Sequence, residues 1–169
     1  GETWEWNGEE WTLRSLPTAS PSRRGGIRIA YDPIRDKTVL FGGQTATGFS
    51  NETWEWSGFT WTRRFPVTIP SARTLHTMTY DSVRQIVMLF GGENPEGLRN
   101  DTWTWNGSNW LLLPGTPAPP PRTGHSVVFD ESRGVCVLFG GVRNFGFDNQ
   151  TWEWNGTTWA AVSPCSSVA

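Results

Sequence analysis

Hydrophobic residues occur in short runs whose spacing follows the two-residue period of β-strands. In the segment 125–130 they alternate, which places His125, Val127 and Phe129 on one face of a strand. The segment 134–139, GVCVLF, is a continuous apolar run that ends at a Gly-Gly doublet, as is typical of a strand buried on both faces. Two more strands are predicted at 150–154 and 157–162. Because no segment shows the period of an amphipathic helix, the pattern predicts an all-β protein.

The same pattern returns along the chain at a constant period. The string FGG begins at Phe41, Phe90 and Phe139, so both steps are 49 residues long. The twelve tryptophans form four triplets that keep nearly the same step: Trp4, Trp6 and Trp11; Trp54, Trp56 and Trp61; Trp103, Trp105 and Trp110; Trp152, Trp154 and Trp159. The glycine doublets keep it as well: Gly42 and Gly43, Gly91 and Gly92, Gly140 and Gly141. Self-similarity at such a period indicates a repeat architecture.

Each period contains four predicted strands, labelled a to d, joined by turns. An Asn-Gly pair after the third strand, as at Asn155-Gly156, is typical of a hairpin turn. One four-stranded sheet cannot cover both of its own faces, so successive sheets are expected to stack. The tryptophan rings are expected to supply the covering surface, because each ring buries on the order of 150 to 250 Å².

These features together resemble the kelch repeat. The form in this chain is RxxHxxxYDxxR, then VLFGG, then TWEWNGxxW, and it is similar to bacterial kelch-like and galactose-oxidase-type propeller repeats. The resemblance covers nearly the whole chain. It implies an all-β fold, a β-propeller of four-stranded antiparallel blades, with ligands bound on one face or near a central channel. It also implies a secreted or cell-surface bacterial protein, but no single activity, because one fold carries many functions.

The chain is read as one kelch-type segment of 1–169 with about three and a half blades. The predicted divisions are a half blade at 1–16, blades at approximately 17–66, 67–115 and 116–164, and a tail at 165–169. A four-bladed ring, the smallest common propeller, would need about 196 residues at this period. One copy is therefore too short to close a ring by itself.

Three explanations of the missing blades stay open: a fragment of a longer propeller, assembly with a second copy, or polymerisation through the open sides. In a six-bladed ring of two copies, the leading strand pair from Thr3 to Arg14 would compete with the pair from Thr151 to Val162 for one place. Either pair could be displaced, as in a domain swap. Assembly with itself, as a homodimer or a higher oligomer, is slightly favoured, because an uncovered Trp-rich sheet would be a large apolar patch.

Charge and cysteine content exclude several classes of partner. The formal net charge of −2 gives no basic field for nucleic acid or for an anionic membrane. No apolar stretch approaches 18 residues, so no membrane insertion is expected. Cys136 lies inside an apolar run and is expected in the core, whereas Cys165 in the tail could link chains.

The variable segments between strands b and c, at 44–51, 93–100 and 142–149, are the predicted binding face. Their apolar and charged side chains would suit a protein or carbohydrate ligand, and the alternative is that they only pack the loops. The candidate binding residues are Phe49, Glu93, Glu96, Leu98, Arg99, Arg143, Asn144, Phe145 and Phe147.

An arginine opens the inner strand of each repeat, at Arg24, Arg73 and Arg122. These arginines could ring a channel mouth and bind an anionic group bidentately. The favoured alternative is an internal structural pair with the strand-c glutamates Glu5, Glu55 and Glu153. His76 and His125 occupy equivalent positions where the first repeat has Ile27, which favours a place in the core over a catalytic or metal-binding role.

The sequence lacks the residue patterns of several known catalytic sites. A galactose-oxidase-like copper site needs two tyrosines and two histidines, but Tyr31 and Tyr80 are repeat positions that Phe129 matches. The sequence shows no His/carboxylate cluster with metal-ligand spacing, no nucleophile elbow, no phosphate-binding glycine loop and no ExxxDxxxH iron motif. The prediction is a non-catalytic binding or assembly module without metal or cofactor. The alternative is a partial catalytic propeller whose site is completed by missing blades or another chain.

Overall fold

The computed structural model describes residues 1–14, 20–115 and 117–162. Over these ranges the chain is all-β, as predicted, and contains strands but no helix, hence no helix able to span a membrane. The strands in chain order are β1 (Thr3–Trp6), β2 (Trp11–Arg14), β3 (Arg24–Gly25), β4 (Arg28–Asp32), β5 (Lys37–Phe41), β6 (Gln44–Thr45), β7 (Gly48–Phe49), β8 (Thr53–Trp56), β9 (Trp61–Arg64), β10 (Thr77–Asp81), β11 (Ile86–Phe90), β12 (Glu93–Asn94), β13 (Gly97–Leu98), β14 (Thr102–Trp105), β15 (Trp110–Leu112), β16 (Ser126–Asp130), β17 (Val135–Phe139), β18 (Val142–Arg143), β19 (Gly146–Phe147), β20 (Thr151–Trp154) and β21 (Trp159–Val162).

Three four-stranded antiparallel sheets follow one another along the chain. Their strand orders are β4-β5-β8-β9, β10-β11-β14-β15 and β16-β17-β20-β21, so every strand pairs with its predecessor in the repeat. We call these repeats the first unit (24–64), the second unit (73–112) and the third unit (122–162). The strands β1 and β2 pair with each other and form an N-terminal ribbon ahead of the first unit.

The strands predicted in the third unit are confirmed, and so is the hairpin between its last two strands. Trp154 pairs with Trp159, which leaves a loop of four residues between them. The Asn155 side-chain oxygen accepts hydrogen bonds from the backbone N–H groups of Thr157 and Thr158 at 3.0 Å each. Gly156 has a φ of 101°, in the left-handed region that favours glycine. The Asn-Gly pair therefore shapes a four-residue turn through its side chain as well as its backbone.

Each segment between strands b and c contains a small hairpin that the sequence analysis had described only as a loop. The hairpins are β6-β7, β12-β13 and β18-β19. The residues before strand a pair with them: Arg24 with Thr45, Thr74 with Glu93, and Thr123 with Val142. Backbone pairing therefore anchors these segments to the units.

The glycine doublet at the end of strand b permits close contact between neighbouring units. Gly42 and Gly43 have φ values of 68° and 95°. The Gly43 N–H donates to the carbonyl of Arg73 in the next unit at 2.8 Å. A Cβ atom at Gly42 would lie 2.6 Å from that carbonyl oxygen, so a larger residue cannot fit without displacing backbone.

Among the described residues, two hydrophobic core clusters form, each between successive units. One joins Ala30, Val39 and Phe41 of the first unit to the second unit's Met78, Val87, Leu89, Trp103, Trp105 and Trp110. The other joins Met88 and Phe90 of the second unit to the third unit's Cys136, Leu138, Trp154 and Trp159. The tryptophans thus cover the preceding sheet at both junctions, whereas Trp4, Trp6 and Trp11 of the ribbon are exposed.

Candidate functional site

The three small hairpins emerge at the same end of their sheets, because each joins strand b to strand c. Phe49, Leu98 and Phe147 occupy equivalent positions, since each pairs with the first residue of its hairpin. Phe49 and Leu98 are half-buried. Phe147 is 94% exposed, so the third hairpin differs from the other two in what it presents to solvent.

The tip of the third hairpin carries two bare aromatic rings. Phe145 is 100% exposed and lies between β18 and β19, two residues before Phe147. Asn144 beside them is also exposed, which adds an amide that can donate and accept hydrogen bonds. The structure therefore brings three of the predicted binding residues together on one exposed tip.

The base of this hairpin is held by an ionic network around Asp148. Its Oδ2 atom accepts hydrogen bonds from Arg143 at 2.9 Å and from Arg122 at 3.2 Å. Burial alone would raise the pKa of Asp148, but the hydrogen bonds from the Gln150 N–H and Arg143, with the charge of Arg122, leave this pKa below its usual value. Asp148 is thus held ionised, and Arg143 is engaged at the base of the hairpin.

The second hairpin is paired mainly with its own residues. Arg99 donates a hydrogen bond to the carboxylate of the exposed Glu96. The Asn94 side-chain oxygen accepts the backbone N–H of Glu96 at 3.0 Å, and half-buried Glu93 exchanges backbone hydrogen bonds with Thr74. These contacts stiffen the hairpin, and most of its predicted binding residues already have a partner within the chain.

The repeated arginines lie inside the units. The side chains of Arg73 and Arg122 are fully buried, and that of Arg24 is nearly so. Arg73 binds both carboxylate oxygens of Asp101, at 2.6 and 2.7 Å, and donates to the carbonyl of Gly91 at 3.1 Å. The same role is played by Arg24 with Glu52 and Gly42, and by Arg122 with Asp148 and Gly140.

An internal structural pair was the favoured interpretation of these arginines, but the glutamate partners predicted for it are wrong. Glu5, Glu55 and Glu153 instead bind Arg14, Arg64 and Arg133, respectively. Burial opposes ionisation of Asp101, yet its hydrogen bonds with Arg73 and the charge of that arginine lower its pKa. Because the guanidinium groups are enclosed and bound to carboxylates, the geometry offers no basis for an anion-binding ring.

The two histidines lie in the core, as predicted. His125 Nε2 is 2.8 Å from Thr77 Oγ1 across the junction between the second and third units. Neither ring nitrogen of His76 has a hydrogen-bond partner within the described residues. Burial and the charge of Arg73 lower the pKa of His76 to about 3, and burial lowers the pKa of His125 to about 4. Both imidazoles are therefore neutral near pH 7.

The described residues contain no group of three or more His, Cys, Asp or Glu side chains placed to hold a metal ion. Cys136 is buried, as expected, and burial raises the pKa of its thiol to about 12, which keeps the thiol protonated. Cys165 lies outside the described residues.

A cleft of about 380 Å³ opens between the N-terminal ribbon and the first unit, and the sequence pattern does not predict it. One wall is Thr3, Trp4 and Glu5 of β1. The other wall is formed by inner-strand and tryptophan side chains of the first unit, among them Ile29, Thr38, Leu40, Trp56 and Trp61. The only sequence signal for it is the strand count, because the ribbon has strands c and d but no strands a and b.

Comparison with models of known protein families gives no match for this chain. Comparison with curated protein sequences gives no significant match either.

Proposed function

We propose that the chain is a non-catalytic, kelch-type β-propeller module that binds a protein or carbohydrate ligand through the face formed by its b-to-c hairpins. The propeller architecture is supported by three successive four-stranded antiparallel sheets with a 49-residue period. Stacking of each unit on the next through the same positions also supports it. In this proposal the three units are blades and the ribbon is half a blade.

The observation that carries the binding proposal is the exposure of Phe145 and Phe147. Exposure of two phenyl rings to water on an otherwise polar tip is unfavourable. Burial of each ring against a ligand would contribute about 1.5 to 3 kcal/mol to binding. The ring faces can stack on the apolar face of a sugar or enter a pocket of a protein. Asn144 beside them can fix the orientation of the ligand through directed hydrogen bonds.

The anchoring of this hairpin favours recognition over simple loop packing. The hairpin is tied down by its own backbone pairing and by the bridge from Thr123 to Val142. The ionic contacts of Asp148 brace its base. A tip held in this way loses little conformational entropy when a ligand binds. The exposed rings therefore contribute little to the stability of the chain, and their rigid display favours a role in ligand binding.

The proposal also includes self-assembly and an extracellular or cell-surface location in a bacterium. A ring built from such units needs more sheets than one chain supplies, and a second copy can provide them. The location follows from the kelch-like form of the repeat and is tested by finding where the protein accumulates in its host.

The binding proposal is tested by screening the wild-type chain on a glycan array and against a peptide display library. Replacement of Phe145 and Phe147 by alanine is expected to weaken binding of any selected glycan or peptide at least about tenfold. The melting temperature should not change, because neither ring is packed.

Phe59→Ala is the matched control. Phe59 is also strongly exposed, but it lies in the turn between β8 and β9, at the opposite end of the sheet. Unchanged affinity of the double variant, or no binding of the wild type to either class of probe, would count against the proposed face. Binding to the glycan array indicates a carbohydrate ligand, and binding to the displayed peptides indicates a protein ligand.

A further inference from the structure

The two internal junctions repeat one apolar contact. At the first junction the ring of Phe41 lies 5.2 Å from that of Trp110 in the next unit, and at the second Phe90 lies 5.1 Å from Trp159. Phe41 and Phe90 are both 0% exposed as a result. We call Ala30, Val39, Phe41 and their equivalents in the other units the inserting face, because the following unit covers them.

The same junctions repeat two hydrogen bonds. Trp110 of the second unit donates its indole N–H to Thr53 of the first at 2.9 Å, and Trp159 of the third donates to Thr102 of the second at 2.9 Å. Trp105 donates to Glu55 at 3.0 Å. Strand c of one unit therefore accepts indole N–H groups from the next unit.

The ribbon supplies these acceptors to the first unit. Trp56 donates to Glu5 at 2.7 Å and Trp61 donates to Thr3 at 2.8 Å. The ribbon offers no inserting face, however, because β1 and β2 pair only with each other among the described strands. The cleft described above is the space that an inserting face fills at the internal junctions.

The walls of the cleft support this assignment position by position. Ile29, Thr38, Leu40, Trp56 and Trp61 line the cleft. The residues 49 positions later are those that receive the inserting face at the first junction: Met78, Val87, Leu89, Trp105 and Trp110. The cleft is thus a receiving face whose inserting partner is missing.

The third unit has the opposite deficiency. Its inserting face consists of Val128, Val137 and Phe139, which lie 98 residues, two periods, after Ala30, Val39 and Phe41. Phe139 is 56% exposed, against none for Phe41 and Phe90, and Val128 is also exposed. Thr151 and Glu153 are the equivalents of Thr53 and Glu55, and within the described residues neither accepts an indole N–H. Within the described residues, the third unit therefore has an uncovered inserting face and the first unit has an unfilled receiving face.

A polar contact at the edge of the sheets is missing in the same way. Arg35 and Arg84 each donate to a backbone carbonyl of the next unit, that of Gln85 at 3.0 Å and that of Gly134 at 3.2 Å. These two arginines and the equivalent Arg133 all bind an aspartate of their own unit, but the second partner of Arg133 is Glu153 of the same unit and not a carbonyl of another unit. The polar rim of the third unit is therefore also without the partner that the other two rims have.

We propose that the inserting face of the third unit docks into the cleft of a second copy of this chain, and that the second copy docks into the first in the same way. Each copy has one face of each kind, so two copies satisfy both, with two-fold symmetry, and close a ring of six four-stranded sheets. This inference deepens the proposed self-assembly and does not involve the Phe145 tip.

The ribbon gives way in this arrangement, because the second copy's β20 would take the place of β1. The exchange conserves the polar contacts, since Thr151 and Glu153 can accept the same indole N–H groups as Thr3 and Glu5. It adds burial of Val128, Val137 and Phe139, which the ribbon cannot match. The ribbon is also the less buried competitor: β2 is exposed along its whole length, whereas Trp159 of β21 is buried.

The proposal is tested by light scattering of the full chain over a range of concentrations. The wild type is expected to approach twice the 19.0 kDa of one chain. Phe139→Asp or Val128→Asp, on the inserting face, and Ile29→Asp, in the cleft, are each expected to weaken dimerisation at least about tenfold. Phe145→Asp is the matched control and should leave the dimer unchanged. Circular dichroism confirms folding, and Val128→Asp replaces Phe139→Asp if the latter unfolds.

A mixing experiment tests the pairing of unlike faces. The Phe139→Asp chain keeps an intact cleft and the Ile29→Asp chain keeps an intact inserting face, so a mixture restores one of the two junctions. A mass above that of either variant alone is expected. Trp11→Ala should leave the dimer intact, because the ribbon is displaced.

Several outcomes would overturn the proposal. If the wild type is monomeric at every concentration, both the docking and the proposed self-assembly are wrong, whereas the proposed binding role of Phe145 and Phe147 is unaffected. If the aspartate variants still dimerise as the wild type does, the docking is wrong but self-assembly is not. Dissociation caused by Trp11→Ala, or no gain of mass on mixing, shows that copies meet through other surfaces.

Discussion

The buried arginines show how a charged side chain can serve as a structural part of a repeat. Arg73 holds the end of strand b to the start of strand c by binding the carbonyl of Gly91 and the carboxylate of Asp101. A buried guanidinium is tolerated when all of its donors find acceptors, and this geometry provides them. The role recurs in every unit because the end of strand b and the start of strand c always lie beside the arginine.

The sequence was sufficient to predict a structural role for these arginines, but not their partners. Acidic residues occur at two positions near strand c: before the strand, at Glu52 and Asp101, and inside it, at Glu5, Glu55 and Glu153. Periodicity cannot tell which of them lies near the arginine. In the structure Glu55 accepts hydrogen bonds from Arg64 and from the next unit's Trp105. The repeated arginine is bound by an acid before the strand, namely Glu52, Asp101 or, two residues further from the strand, Asp148.

The histidines are predicted to make stability depend on pH. His76 is neutral in the fold because its pKa is about 3, with Arg73, Arg28, His125 and Asp101 as the charged or titratable groups around it. An unfolded histidine binds a proton below about pH 6.5, so the unfolded state gains protons that the fold does not. Stability should therefore fall as the pH drops from about 6.5 towards 3.

His76→Ile isolates this effect, because the first unit has Ile27 at the equivalent position. The variant should lose less stability than the wild type between pH 7 and pH 5, as measured by urea unfolding. It leaves no hydrogen bond broken, since neither ring nitrogen has a partner within the described residues. Equal pH dependence of the two proteins would show that the buried imidazole is not responsible.

At the scale of elements, hydrophobic periodicity located the main strands and missed the small hairpins. Strands such as β16 and β17 carry alternating or continuous apolar side chains, which the two-residue period reveals. The hairpin strands are two residues long, and the one formed by Glu93 and Asn94 is wholly polar, so no period can appear. These hairpins are held by backbone hydrogen bonds, which the pattern of side chains along the sequence does not reveal. The b-to-c segments leave their sheets at one end, as expected from strand order, but their anchoring by backbone pairing became evident only from the structure.

The tryptophan pairs are predicted to differ in importance according to whether a preceding sheet covers them. Trp105 is 0% exposed at the first junction, whereas Trp6, its equivalent in the ribbon, is 51% exposed. Trp105→Ala should cost about 3 to 5 kcal/mol, which is a large part of the stability of a typical domain, and the chain should lose its cooperative melting transition.

Trp6→Ala is the matched control and should change stability by no more than about 1 kcal/mol. Near-ultraviolet circular dichroism during a thermal melt measures both variants. Similar melting curves for the two would mean that the stacking of the units does not depend on the covered indole rings.

At the scale of the whole molecule, the strand count predicted that one copy is too short to close a ring, and the structure shows an exposed sheet face on the third unit and an open cleft beside the first. The repeats predicted a leading pair of strands followed by three groups of four, and the described strands are arranged as a ribbon and three four-stranded sheets. Counting alone left open whether a fragment, a dimer or a polymer resolves the mismatch. The side on which Phe139 is exposed, and the match between the cleft and the first junction, are three-dimensional facts that periodicity does not contain.

Small-angle X-ray scattering of the wild-type chain over a concentration series tests the central claim most directly, namely that the two open faces complete each other. The account predicts a particle of twice 19.0 kDa whose distance distribution fits a closed, flattened ring of six sheets. A curved particle of 19.0 kDa at every concentration, or a mass that keeps growing as in an open filament, would contradict it.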